Sequence, residues 1–263
     1  MSLRETFSKK AHTFGGWCGI PSPMSAELIG RSGFDWVCID CQHGLVGYDA
    51  MVPMLQALSI TRTPAFVRVP WNQPDHIMKA LDAGAEGVIV PMVGTAAEAA
   101  QAVDSVKYPP AGHRSWGPVR AAFDVPGYTA ETANRRTMVA IMIETPDGVH
   151  NLDEILEVPG VDAVYVGPAD LGLSHGYVPG LDMAPGSAHE ELILRVLDGC
   201  RRHEVIAGIH TSGAENARRW MQAGYQMLTI ASDAAFLRGG AQAALRELRG
   251  AGEAAEKSAS PYS

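Results

Sequence analysis

Several features that mark particular classes of protein are missing from this 263-residue sequence. No stretch approaches the about 18 uninterrupted apolar residues that a membrane helix needs, so we expect no membrane span. The N-terminal segment lacks the apolar run of a signal peptide, which predicts a cytoplasmic protein. The formal net charge of −8 at pH 7 offers no basic excess, which argues against nucleic acid or an anionic membrane as a partner.

Cysteine is also scarce. The four thiols, Cys18, Cys38, Cys41 and Cys200, are predicted to stay reduced in a chain without an export signal. Cys38 and Cys41 form a C-x-x-C pattern that admits two interpretations, a redox or zinc half-site and a pair of ordinary strand thiols. No second C-x-x-C and no thioredoxin-like context accompany it, which favours ordinary thiols.

Short, continuous apolar runs recur along the chain and alternate with helix-length segments. Continuous runs are typical of parallel strands that are buried on both faces. The predicted strands are Gly15–Ile20, Trp36–Asp40, Ala65–Val69, Gly87–Pro91, Val139–Glu144, Ala163–Val166, Val205–Ile209 and Gln226–Ile230. Between them, Pro74–Ala83 begins with a first-turn proline, and Thr95–Val106 begins with a capping box.

Eight strands that alternate with helices predict an α/β fold with a parallel sheet. The length matches the about 250 residues of a (β/α)8 TIM barrel, so we expect a single barrel domain over residues 1–249. An open, doubly wound sheet is the alternative. Residues 109–138 are expected to form a long functional or interface loop, and residues 250–263 a disordered polar tail.

The barrel architecture directs attention to the carboxyl ends of the strands, where barrel enzymes place their chemistry. Glu144 and Asp170 follow neighbouring predicted strands, so their carboxylates can converge. Two close carboxylates with oxygen-only ligation suit Mg²⁺, Mn²⁺ or another hard divalent ion. The alternative is a pair of solvated carboxylates or helix caps.

Three more residues are candidates for catalysis. Arg68 ends the third strand and could bind a carboxylate or an oxyanion, or instead form a structural ion pair with a barrel acid. His43 follows the second strand and could be a general base or a surface residue. Asp82, at the end of a helix, could orient such a histidine or simply end that helix.

Some cofactors are predicted to be absent. None of the lysines, Lys9, Lys10, Lys79, Lys107 and Lys257, lies at the carboxyl end of a predicted strand. Schiff-base and pyridoxal phosphate (PLP) chemistry both need a positioned lysine, so we expect neither. No G-x-G-x-x-G follows the first strand, which argues against NAD.

Several blocks of the sequence match one family in order, over about residues 15–249. The chain resembles the metal-dependent (class II) pyruvate aldolases of the 4-hydroxy-2-oxoheptane-1,7-dioate aldolase type, within the citrate-lyase-like and phosphoenolpyruvate-mutase-like barrels. The matching blocks are GFDWVCIDCQHG, VRVPWNQPDHIMKALDAGAEGVIVPMV, KYPPAGHRSWGP, MIETPDGVHNLDEIL and GVDAVYVGPADLGLSHGY.

This resemblance implies roles for the residues already named. The metal ligands of the family fall on Glu144 and Asp170, with Mg²⁺ or Mn²⁺, and also Co²⁺, as the implied metal. Its catalytic arginine falls on Arg68, its base on His43, and the aspartate that orients that base on Asp82. The implied reaction is the reversible cleavage of 4-hydroxy-2-oxo acids to pyruvate, or a related 2-oxo acid such as hydroxypyruvate, and an aldehyde through a metal-bound enolate.

The resemblance also implies substrate contacts and an assembly. An early tryptophan that lines the site matches Trp17. The loop expected to bind the substrate carboxylate consists of Gly167, Pro168, Ala169 and Asp170. The family forms homohexamers, dimers of trimers with an exchanged C-terminal helix, and we expect the same here.

The sequence departs from the family pattern at three positions. Gln42 replaces an acidic residue, and Met142 replaces a glutamine near the metal glutamate. His210 stands where the family usually has an apolar residue, so we expect it to influence acceptor specificity. An acyl-CoA lyase of the same superfamily and a non-catalytic barrel that binds 2-oxo acids are the alternative functions.

Overall fold

Eight parallel strands follow one another in chain order around a closed barrel. The computed structural model describes residues 1–249; the tail predicted for 250–263 lies outside the described residues. The strands are β1 Thr13–Cys18, β2 Trp36–Asp40, β3 Ala65–Arg68, β4 Gly87–Val90, β5 Met138–Ile143, β6 Ala163–Val166, β7 Ile206–Ile209 and β8 Met227–Ser232. The predicted (β/α)8 barrel is confirmed, and the open-sheet alternative is wrong.

Helices precede, connect and follow the strands. They are α1 Leu3–Lys9, α2 Pro23–Arg31, α3 Tyr48–Thr61, α4 Pro74–Asp82, α5 Ala96–Val106, α6 Ala121–Asp124, α7 Ala130–Arg136, α8 Pro146–His150, α9 Leu152–Leu156, α10 Pro168–Ser174, α11 Ala188–Arg202, α12 Ala214–Ala223 and α13 Asp233–Arg249. The capping box predicted at Thr95 is present, since its side chain accepts from the N–H of Glu98 and that carboxylate accepts from the N–H of Thr95. Among the described residues, no helix is both long enough and apolar enough to cross a bilayer.

Two apolar layers hold the barrel together. The larger one lies between the strands and the surrounding helices, and the smaller one fills the barrel interior. The interior includes Trp36 and Phe66, whose rings meet edge to face with centroids 5.6 Å apart. A side chain at Gly15 would overlap the indole of Trp36, so that position needs glycine. Leu3 of α1, also fully buried, belongs to the same interior cluster.

The segment expected to be one long loop, residues 109–138, contains α6 and α7. Helix α7 has a capping arrangement, because the side chain of Thr129 accepts from the N–H of Thr132 and the hydroxyl of Thr132 accepts from the N–H of Thr129. Only Ala133 of α7 is buried, so the helix carries no apolar periodicity that the sequence could reveal.

The C-terminal helix α13 contacts the barrel only near its beginning. Asp233 is its one buried residue, and its carboxylate accepts hydrogen bonds from the N–H groups of Gly19 and Ile20. Farther along, Leu237 is 71% exposed and Leu248 is 85% exposed. The single chain therefore leaves the apolar side chains of α13 largely in solvent.

Candidate active site

The barrel brings polar side chains from four strands, and a glycine that follows a fifth strand, to one rim. Asp40 and Arg68 end β2 and β3, while Glu144, Gly167 and His210 directly follow β5, β6 and β7. Because all eight strands are parallel, their carboxyl ends lie at the same end of the barrel. The rim that the sequence predicted as the functional end is thus also the end where these side chains collect.

Glu144 is buried at this rim, with only 1% of its surface exposed. Its Oε1 accepts a hydrogen bond of 2.8 Å from the N–H of Met92. Its Oε2 is buried and has no hydrogen-bond partner among the described residues. The pKa of this carboxyl is raised to about 7 overall: burial is the main cause and the charge of Asp170 adds to it, whereas the Met92 N–H and Arg68 oppose the shift.

The loop after β6 packs closely against that carboxylate. Gly167 precedes α10, Pro168 begins the helix, and Asp170 lies half-buried in its first turn. A side-chain carbon at Gly167 would overlap Oε2 of Glu144. The absence of a side chain at position 167 therefore leaves room for the orphaned oxygen.

The two carboxylates fit a hard divalent cation. A buried, unpaired carboxylate oxygen beside a second acid is unfavourable unless a proton or a cation joins them. Mg²⁺ is often bound by one or two carboxylates, with water and substrate oxygens completing its coordination. Residues 1–249 contain no group of three or more His, Cys, Asp or Glu placed to hold a metal, so Glu144 and Asp170 would act as a pair.

Arg68 forms a two-pronged ion pair with Asp40 on the neighbouring strand. Its Nε and Nη2 donate to the two carboxylate oxygens at 2.8 and 2.6 Å, and both side chains are largely buried. Burial raises the pKa of the Asp40 carboxyl, but the hydrogen bonds and charge of Arg68 outweigh it and lower the pKa overall. The structural ion pair left open by the sequence is therefore present.

Asp40 is the residue that sequence reasoning missed. Besides Arg68, its carboxylate accepts hydrogen bonds from the indole N–H of Trp17 at 3.1 Å and from the backbone N–H groups of Gln42 and His43. Asp40 pairs directly with Arg68 across β2 and β3, and the sequence carries no signal for this pairing because apolar runs do not define strand register to one residue. Asp40 thus fixes the guanidinium, the indole and the start of the loop that carries His43.

The structure does not bring His43 and Asp82 together within one chain. His43 is exposed in the loop after β2, at the rim. Asp82 ends α4, whose C-terminus leads into the start of β4 at the opposite end of the barrel. Its carboxylate accepts a 2.6 Å hydrogen bond from Arg114, and burial raises its pKa while Arg114 opposes the shift. The proposed pairing of Asp82 with His43 stays a prediction.

His210 lies half-buried against two aromatic side chains. Its Nδ1 is 3.2 Å from the hydroxyl of Tyr165, and its ring is nearly perpendicular to that of Trp17, with centroids 4.9 Å apart. The pKa of His210 is lowered to about 4 overall: burial is the main cause and the charge of Arg68 adds to it, whereas Asp40 opposes the shift. The imidazole is therefore neutral at neutral pH.

The cysteines are free thiols, as predicted. Cys38 belongs to the cluster inside the barrel, whereas the half-buried Cys41 packs against the outer layer. Burial raises the pKa of the Cys41 thiol to about 12. Neither thiol is placed for redox or zinc chemistry with the other.

Comparison with known proteins gives consistent relatives over nearly the whole chain. The chain is 35% identical over 249 residues to the hydroxypyruvate/pyruvate aldolase of Rhizorhabdus wittichii, which covers 94% of this chain and 98% of that protein. It is 35% identical over 235 residues to the 4-hydroxy-2-oxo-heptane-1,7-dioate aldolase of Escherichia coli, with 87% of each chain covered.

Solved structures agree with these relatives. The crystal structure of an aldolase/citrate lyase family protein from Burkholderia cenocepacia matches with a TM-score of 0.87 and 31% identity, over 94% of this chain and 99% of that one. The model of the HpcH/HpaI aldolase/citrate lyase family matches residues 14–239. With this match over most of the barrel, the chain belongs to the HpcH/HpaI aldolase/citrate lyase family.

Proposed function

We propose that this chain is a divalent-metal-dependent aldolase that reversibly cleaves 4-hydroxy-2-oxo acids into an aldehyde and pyruvate, or a related 2-oxo acid such as hydroxypyruvate. The prediction of an aldolase, a carbon–carbon lyase, is confirmed by the family and by the named relatives. Its partners in this proposal are small molecules of the cytoplasm, with neither nucleic acid nor a membrane involved.

One observation carries the metal-dependent part of the proposal. Oε2 of Glu144 is buried without a partner, beside a glycine that leaves it uncovered and close enough to Asp170 for the two charges to interact. Glu144 and Asp170 would hold Mg²⁺ or Mn²⁺, with Co²⁺ as a further candidate. When bound, such an ion supplies a Lewis acid that polarises the 2-oxo group of the substrate.

Arg68 supplies the fixed positive charge. Its Nε and Nη2 are held by Asp40, whereas its Nη1 has no hydrogen-bond partner among the described residues. Preorganised donors of this kind stabilise the negative charge that develops on the keto oxygen during carbon–carbon cleavage. Asp40 acts through Arg68, as a positioning residue.

His43 is the proposed base. During cleavage it takes the proton from the 4-hydroxyl group, and during synthesis it returns the proton to the new alkoxide. Its exposure in the loop after β2 leaves it accessible to substrate at the rim. The backbone N–H that it donates to Asp40 ties this loop to the Arg68 pair.

The loop after β6 is the proposed binding site for the substrate carboxylate. Because Pro168 has no N–H, the available donors would be the backbone amides of Gly167, Ala169 and Asp170. Trp17 would line the same site, since its indole is fixed by Asp40 and lies 5.0 Å under the guanidinium of Arg68.

We also propose that the protein is a homohexamer, a dimer of trimers. Helix α13 has exposed apolar residues, among them Leu237 and Leu248, which supports a contact with a partner chain. Exchange of this helix between subunits would cover these side chains. Because Asp82 and His43 lie at opposite ends of one barrel, a role of Asp82 toward His43 requires a neighbouring subunit. Light scattering should give about six times the 28.0 kDa chain mass; a mass of one chain would contradict the proposal.

The proposed chemistry can be tested without knowing the natural aldehyde. Pyruvate is incubated with the protein in D₂O, and its methyl proton signal is followed by NMR with Mg²⁺, with Mn²⁺ and with EDTA. Metal-dependent loss of the signal is expected. No exchange with any divalent ion would contradict the aldolase mechanism and favour a binding protein, while exchange only with an acyl-CoA substrate would favour the acyl-CoA lyase. Borohydride should trap no covalent adduct, because none of the lysines within residues 1–249 ends a strand or directly follows one.

A further inference from the structure

The environment of His210 holds its ring in one orientation. The backbone N–H of His210 continues the sheet by donating to the carbonyl of Val166 at 3.1 Å. On the side chain, Nδ1 contacts the hydroxyl of Tyr165, and the ring packs nearly perpendicular to that of Trp17. The other ring nitrogen, Nε2, has no hydrogen-bond partner among residues 1–249 and is not among their buried, unpaired atoms.

The residues behind His210 are themselves fixed. Tyr165 is fully buried, and its hydroxyl also contacts the hydroxyl of Thr229. The ring of Tyr165 stacks on Trp17 with centroids 5.7 Å apart and planes 16° apart. Since Trp17 is anchored by Asp40, a continuous set of contacts joins His210 to the Arg68 pair.

A neutral imidazole with Nδ1 engaged offers a single hydrogen-bonding position, at Nε2. It is a donor if Tyr165 donates to Nδ1, and an acceptor if Nδ1 donates to Tyr165. A substrate hydroxyl suits either case because it can both accept and donate. An alkyl group placed there would cover Nε2 without giving it a partner, and covering an unpaired polar atom is unfavourable.

We propose that His210 is a specificity-determining residue whose Nε2 binds a hydroxyl group of the substrate, next to the reacting carbonyl. This inference rests on the proposed aldolase function. Two sources could supply the hydroxyl: carbon 3 of the 2-oxo acid, as in hydroxypyruvate, or carbon 2 of the aldehyde, as in glycolaldehyde. His210 lies beside the loop after β6, on the same rim as Glu144 and Arg68, so it can contact either component.

The test compares four substrate pairs. Pyruvate and hydroxypyruvate are each combined with acetaldehyde and with glycolaldehyde, and kcat/KM is measured for the wild type, His210→Leu and Tyr165→Phe. We expect His210→Leu to lower kcat/KM about tenfold for the pairs that contain the recognised hydroxyl, and to change the others less than about threefold. Whether the loss follows the 2-oxo acid or the aldehyde identifies the source. The ratio of kcat/KM between pairs with and without the recognised hydroxyl should also fall in Tyr165→Phe, but by less than in His210→Leu. This variant frees Nδ1 of His210 without removing Nε2.

His113→Leu is the matched control, because His113 is highly exposed and pairs with Asp104 on the surface. Its substrate ratios should equal those of the wild type. An equal loss for all four pairs in His210→Leu, or unchanged ratios, would overturn the inference while leaving the aldolase function in place.

A binding measurement separates the two proposals further. Calorimetry with pyruvate and hydroxypyruvate in the presence of Mg²⁺ needs no turnover. If the wild type binds hydroxypyruvate more tightly, His210→Leu loses that preference, and no pair reacts, the inference stands and the aldolase function fails. If neither turnover nor binding distinguishes hydroxylated from plain substrates, the inference is overturned.

Discussion

Arg68 and Asp40 occupy directly paired positions on neighbouring strands and join through two parallel hydrogen bonds of 2.8 and 2.6 Å. This fork uses two of the three guanidinium nitrogens and fixes the plane of the group. Arg68 therefore has one orientation at the rim. Because folding already orders its side chain, substrate binding does not have to supply the entropy cost of ordering it.

Replacing Arg68 should therefore abolish most turnover. We expect Arg68→Ala to lower kcat about 10²–10³-fold, as for the loss of an oxyanion contact. Arg68→Lys keeps the charge but loses the planar fork, so it should also be strongly impaired. Steady-state kinetics with pyruvate and an aldehyde provide the measurement.

Removing Arg68 alone leaves Asp40 buried and unpaired, which can destabilise the fold. The double variant Arg68→Ala/Asp40→Asn removes both charges and serves as the folded control, checked by thermal unfolding. Near-normal turnover in either folded variant would exclude Arg68 from this role.

The sequence predicted the barrel well because its strands are continuous apolar runs between helices. The predicted β2 and β6 have the observed bounds, and the other strands differ by one or two residues at their ends. Glu144 and Asp170 were predicted from the same architecture: Glu144 directly follows β5, Asp170 lies in the first turn of the helix after β6, and both positions are at the carboxyl-end rim of a parallel sheet.

Contacts that depend on side-chain geometry were out of reach. The two-pronged pairing of Asp40 with Arg68 depends on strand register, which an apolar run does not define to one residue. Arg114 lies 32 positions after Asp82 in a polar segment, and no periodicity connects the two. Helices α6 and α7 were missed because they bury too little to show an apolar stripe.

Gly167→Ala should weaken metal binding. The new methyl group would overlap Oε2 of Glu144, so the carboxylate must move or the loop before Asp170 must shift. We expect the Kd for Mn²⁺, measured by calorimetry or by the loss of the free-ion EPR signal, to rise about tenfold or more, since small displacements of ligands are costly.

Gly47→Ala is the matched control, because the backbone at Gly47 has φ −87° and no atom lies where its side chain would go. Its Mn²⁺ affinity should equal that of the wild type. Unchanged affinity in Gly167→Ala would show that Oε2 of Glu144 does not face the ion.

Glu144→Gln should stabilise the metal-free protein at high pH. Burial raises the pKa of Glu144 from 4.5 to about 7, so the folded state holds a proton that the unfolded chain releases at lower pH. The contribution of the Glu144 carboxyl to the free energy of unfolding is fully present below about pH 4.5 and is lost as the pH rises through about 7. The glutamine carries no charge and can still accept from Met92, so it should gain on the order of 1–3 kcal/mol at pH 8 and little at pH 4.

Urea unfolding in EDTA at the two pH values measures this difference. Glu154→Gln, on the exposed face of α9, is the control and should change stability little at either pH. An equal effect of Glu144→Gln at both pH values would show that the buried carboxylate does not carry the shifted pKa.

Mixed oligomers should reveal whether Asp82 acts on the His43 of another subunit. His43→Ala and Asp82→Asn are each expected to be nearly inactive as homo-oligomers, because each removes one member of the pair from every site. If the pair forms between subunits, random co-assembly of the two variants creates sites that contain both native residues, about a quarter of the total. Co-expression with two affinity tags, purification through both and comparison of kcat with the wild type measure the recovered fraction. Pairing within one chain would leave the mixture as inactive as its parents, since every site would then lack one native residue, and Asp82 would have to reach His43 across the length of its own barrel.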